Sequence, residues 1–144
     1  MCELFRVSTK EKIEGYKIVV KKLKGERYFS PAMGFKYPLD GHVPVVRKQR
    51  RICSDFIGDI VSKISGPYRE EMVGRTAIFL NPNDALEVAR RNDIKEGYRL
   101  VVVRVEVSED VMLGTYLTGL ISISKNCEVA AGRHIRFIKE IEER

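Results

Sequence analysis

The chain has 144 residues with 44% hydrophobic and 32% charged side chains and a formal net charge of +6. That length suits one domain over residues 1–144 with a single buried core. No apolar run approaches the roughly 20 residues of a membrane-spanning helix, and "MCELFRVSTKEK" lacks the apolar segment of a secretory signal, so the expectation is a cytoplasmic protein without membrane contact.

Taken in chain order, "GYKIVVKKLKGERYFS" alternates as a strand, with Tyr16, Ile18 and Val20 on one side and Lys17 and Lys21 on the other; "LKGER" reads as a hairpin turn. Pro31, Gly34, Pro38, Gly41 and Pro44 then exclude helix and leave loops with short edge strands. "RKQRR" follows this irregular stretch. Ser54 caps a predicted helix whose Phe56, Ile57, Ile60, Val61 and Ile64 share one face, and Gly66 with Pro67 ends it.

"TAIFL" predicts a short apolar strand, after which Asn81 caps a helix carrying Pro82 in its first turn, Asp84 near its amide-rich end, and Arg90 and Arg91 near its carboxyl end. In "RLVVVRVEV", Val101, Val103, Val105 and Val107 occupy one face and Leu100, Val102, Arg104 and Glu106 the other, which predicts a strand with one buried face. "LISIS", a turn around "KNCE" and a last strand "HIRFIKEI" complete the chain. The expected fold class is α+β, with a mixed, mostly antiparallel sheet of five to seven strands, two helices and one strand–helix–strand crossover.

Charge is distributed unevenly: residues 1–51 hold 13 Lys and Arg against five acids, while residues 52–144 hold 13 against 15. A local excess of this kind can steer an anionic partner. Arg47, Lys48, Arg50 and Arg51, joined by Lys21, Lys22 and Lys24, are the candidate anion-binding set, and the partner they suit is nucleic acid or another polyanion. Tyr16, Tyr28, Phe29 and Tyr37 interleave with these cations, an arrangement on which a single strand can stack; half-buried sheet residues are the structural alternative.

Cys2, Cys53 and Cys127 form no CxxC pair and are expected to be reduced. Cys53, beside two arginines and a helix cap, is an activated thiol on one reading and a buried residue at a helix entrance on the other. His42 and His134, the two histidines, predict no metal site.

Two stretches, "LFRVS" at residues 4–8 and "KNCEVAAGRHIRFIKEI", resemble the first strand and the closing segment of ADP-ribosyltransferase-like domains, and "RTAIFLNPNDALEVARR" is similar to a strand and helix of those domains near the cofactor. The resemblance implies a catalytic pair: Arg6 on the phosphates or ribose of NAD, and Glu128, at the start of a strand, stabilising the developing oxocarbenium ion. Asn126 would stand in the auxiliary position, and "TYLTG" and "SIS" only approximate the family's Ser-Thr-Ser motif. The chain also resembles small proteins of prokaryotes and their viruses that open with a "GYKIVV"-type strand, a likeness that implies no activity. Three alternatives therefore stand: a cofactor-free polyanion-binding module, an ADP-ribosyltransferase-like enzyme or NAD binder, and a protein-interaction domain that uses an open sheet edge.

Overall fold

The computed structural model describes residues 2–6, 12–31, 34–45, 73–90, 97–119 and 124–141, with 2–6, 115–119 and 124–126 described by backbone alone. Eight strands and one helix are present among them: β1 (Cys2–Arg6), β2 (Ile13–Lys22), β3 (Asp40–His42), β4 (Thr76–Phe79), α1 (Pro82–Arg90), β5 (Tyr98–Ser108), β6 (Met112–Gly119), β7 (Ser124–Gly132) and β8 (His134–Ile141). The strand order is β1-β6-β7-β4-β2-β5-β8-β3, and every pairing is antiparallel. The α+β class holds, whereas the expectation of mixed polarity is corrected and the strand count exceeds the expected seven. The helix predicted from Ser54 lies outside the described residues.

One strand pair divides this sheet into halves. β2 meets β4 through the single register pair Tyr16↔Phe79, with β1, β6, β7 and β4 on one side and β2, β5, β8 and β3 on the other. Gly15 makes the junction possible, because a Cβ there would sit 2.5 Å from the Phe79 carbonyl oxygen and 2.7 Å from Ile78 Cδ1.

The connections show that the halves fold over one another. β7 and β8 lie four places apart in the order, roughly 19 Å in a flat sheet, yet only Arg133 joins them and spans about 7 to 8 Å between flanking Cα atoms. The end of β7 therefore bends onto the end of β5. Gly132 marks the contact, since a Cβ there would meet Ser108 O at 2.9 Å and Val107 Cβ at 3.0 Å.

Between the halves lies one core, in which Val19, Val103, Val105, Val107 and Ile135 meet Ile78 and Ala130. The alternation read in "RLVVVRVEV" holds for Val103, Val105 and Val107, which are fully buried, while Val101 is half-buried and Val102, on the other face, is buried as well. A second core forms where Ala85 and Val88 of α1 cover Ile18, Phe79, Val102 and Val129. All four β4 residues are buried because this strand has a core on each face.

β4 and β5 both run antiparallel to β2, so they are parallel to each other with β2 between them, and α1 crosses over β2. Asn81 caps α1 as its sequence predicts, with Asn83 N donating to Asn81 Oδ1 at 2.9 Å. The hairpin after β2 reduces to one bridge, Val20↔Phe29, and a further bridge, Phe29↔Lys36, extends it. The predicted turn around "KNCE" is corrected: Asn126, Cys127 and Glu128 lie inside β7, paired with Leu117, Tyr116 and Thr115. No helix among the described residues is long and apolar enough to cross a membrane.

Candidate nucleic-acid interface at the tip of β2 and β5

On β2 the lysines alternate against the apolar residues as the sequence indicates, but their face is an interior one. Lys17 Nζ donates to the Ala77 carbonyl at 2.7 Å and lies 5.9 Å from the Tyr37 ring centroid. Lys21 is only 7% exposed, and its ammonium pairs with Glu140 Oε1 at 2.7 Å. An irregularity in the β5–β8 register, from Arg104↔Lys139 to Val105↔Phe137, leaves Ile138 unpaired and puts Glu140 on the same side as Phe137.

Tyr28 completes this group. Its hydroxyl lies 3.3 Å from Glu140 Oε1, and its ring stacks on Phe137 at 4.7 Å. The hydrogen bond from Lys21, aided by its charge, holds the Glu140 carboxyl below the usual range despite the opposing effect of burial. Burial, reinforced by the Glu140 charge, pushes the Tyr28 phenol up. Lys21 is therefore committed to a carboxylate. It is not displayed for a ligand.

The adjacent positions differ. Lys22, Lys24, Arg27, Lys36 and Arg99 are exposed, and none forms an ion pair with a described residue. Strand pairing puts Lys22 beside Tyr98 and sets Lys36 in the row of Val20 and Phe29, on the same face, whereas Arg99, opposite Lys21, falls on the other face at the start of β5. Lys22 Nζ lies 5.8 Å from the Phe29 ring centroid. Leu23 N donates to Gly97 O at 3.1 Å and ties the two strand ends together. Among the described residues 22–36, Glu26 is the exposed acid.

Several cations elsewhere among the described residues are paired with acids, while Lys139 on β8 is exposed without an ion pair. Arg104 pairs with Glu14 at 2.6 Å, Arg136 with Glu106 at 3.4 Å, and Arg133 with Asp110 at 3.1 Å. Arg75, its side chain 1% exposed, also binds Asp110. These contacts brace the turn from β5 to β6, where Glu109 and Asp110 take positive φ values of 64° and 53°. The histidines meet across β3 and β8, their rings 5.4 Å apart, with His42 on Glu109 at 2.7 Å and His134 on Asp40 at 3.3 Å. Among the described residues no three His, Cys, Asp or Glu side chains converge to hold a metal ion.

Of the four aromatics expected to interleave with the cations, Tyr37 is buried, Tyr28 is stacked on Phe137, and Tyr16 packs beside α1; Phe29 remains half-buried next to Lys22. Tyr98 is the aromatic that sequence reading missed, together with Arg27, Lys36 and Arg99. The signal for Lys36 was its place between Phe35 and Tyr37, while Arg99 and Tyr98 needed the β2–β5 register.

Arg47, Lys48, Arg50, Arg51 and Cys53 lie outside the described residues. Arg6 occupies the row of Met112 and Ala131, whereas Glu128 occupies the row of Thr115 and Glu3, three positions along β7. Ideal strand spacing makes that roughly 10 Å along the strand. Glu128 is exposed within β7 and does not begin a strand. No protein family, curated protein or solved structure matches the chain.

Proposed function

We propose that this protein is a nucleic-acid-binding module whose contact surface is the β2–β5 tip. Lys22, Lys24, Arg27, Lys36 and Arg99 neutralise backbone phosphates, and Phe29 and Tyr98 offer faces on which bases stack. The observation that supports this reading is the distribution of charge: among the described residues Lys22, Lys24, Arg27 and Lys36 are exposed without an ion pair in one stretch of the chain, while Arg104, Arg133 and Arg136 are held by acids. A paired arginine contributes little net field, and an unpaired cluster attracts phosphate and releases its counterions.

The test compares two triple variants of equal charge change by fluorescence anisotropy with a labelled oligonucleotide. Lys22→Ala/Lys24→Ala/Lys36→Ala is expected to weaken binding at least about tenfold. Lys12→Ala/Arg104→Ala/Arg136→Ala, which removes cations paired with Glu106 and Glu14, is expected to bind like wild type. Equal losses in both variants, or no binding by the wild-type protein, would overturn the reading.

A further inference from the structure

We infer that the nucleic acid is single-stranded and that one of its unpaired bases enters the cleft between α1 and the first residues of β5, an inference that rests on the binding function proposed above. The cleft has a volume of about 290 Å³ and is walled by Leu86 and Ala89 of α1, Leu100 and Val102 of β5, and Ile141 of β8, with Arg99 and Glu140 also lining it. It arises because β8 pairs with β5 only as far as Ile141↔Val102, so that the start of β5 extends beyond its neighbour among the described residues. Ala89, a small residue facing that gap, leaves it unfilled.

Three features favour a base as the occupant. The first is size. At about 30 Å³ per water the cleft holds on the order of ten water-sized groups, enough room for a flat heterocycle.

The second is polarity. Aliphatic walls suit the faces of a ring, and Arg99 brings a guanidinium that hydrogen-bonds with no described residue, able to stack on a base or bind the phosphate beside it. Glu140 does not make the cleft anionic, since Lys21 balances its charge at 2.7 Å.

The third is continuity. Tyr98, Leu100 and Val102 share one strand face with Lys22, Val20 and Ile18 across β2, so the cation and aromatic surface leads along that face into the cleft. A strand tracking Lys36, Phe29 and Lys22 reaches Tyr98 and then the opening beside Arg99. A base within a duplex would first have to unstack, at a cost of a few kcal/mol.

The experiment measures the affinity of the full chain for three fluorescein-labelled ligands of equal length at one salt concentration: a single-stranded oligonucleotide, an abasic strand with the same phosphates, and a blunt duplex. Wild type is expected to bind the single strand at least tenfold tighter than either other ligand. Ala89→Phe, which fills the cleft, is expected to lower affinity for the single strand to that for the abasic strand.

Equal binding of base-bearing and abasic strands by the wild-type protein, or tighter binding of the duplex, would overturn the inference and leave in place the phosphate contacts of the proposed function, without the base stacking. A folded Ala89→Phe protein that kept the full preference would also overturn it. Binding of none of the three would remove the proposed function itself. The wild-type comparison decides the question even if Ala89→Phe fails to fold.

Discussion

Lys21 and Lys22 are consecutive and chemically identical, and the fold treats them in opposite ways. Lys21 turns inward, where an unpaired ammonium would be costly, and Glu140 and Tyr28 supply the compensation. Lys22 turns outward beside Phe29. Because the folded state holds Glu140 below its ordinary value of 4.5, its contribution to stability is present above that value and lost as pH falls through the lowered one. Tyr28 is raised above 10.0, so its contribution is present below that value and lost as pH rises through the raised one. Glu140→Gln is expected to cost about 1 to 2 kcal/mol near neutral pH, the low end for a charged hydrogen bond because the carboxylate is partly exposed. Its urea midpoint should also fall less than that of wild type between about pH 5 and about pH 3. Superimposable midpoints for the two proteins across that range would contradict this assignment.

Among the elements, the β4–α1–β5 unit is the one whose signals are local. Asn81, Pro82, Asp84 and Arg90 each state their helical position, and the valines of β5 state their face. Asn81→Ala is expected to destabilise the protein by about 1 kcal/mol, and Asn81→Asp to be close to neutral, since the carboxylate still accepts from Asn83 N at the positive end of the helix. Denaturant midpoints measure both; equal losses for the two variants would show that the cap does not act as described.

Where elements depend on distant partners, the sequence was less legible. "KNCE" is polar enough to suggest a turn, and only its pairing with Leu117, Tyr116 and Thr115 of β6 makes it strand. The alternation of β2 was readable, but the burial of Lys17 and Lys21 was not, because it depends on Ala77, Glu140 and Tyr28, which come from other parts of the chain. Tyr98 joins Lys22 through the β2–β5 register, a relation with no local trace.

For the molecule as a whole, the folding of the sheet about Tyr16↔Phe79 buries two cores and leaves Lys22, Lys24, Arg27 and Lys36 exposed without an ion pair to a described residue. The cations of the first 51 residues whose side chains are described are thus divided by the fold: Lys17 and Lys21 serve the interior, Lys12 meets Glu106, and Lys22, Lys24, Arg27 and Lys36 face solvent. The salt dependence of oligonucleotide binding tests this division most directly. Each phosphate neutralised on a single strand contributes about −0.7 to the slope of log affinity against log salt. Replacing Lys22, Lys24, Arg27 and Lys36 by alanine is predicted to make that slope shallower by about 3, and an unchanged slope would contradict the account.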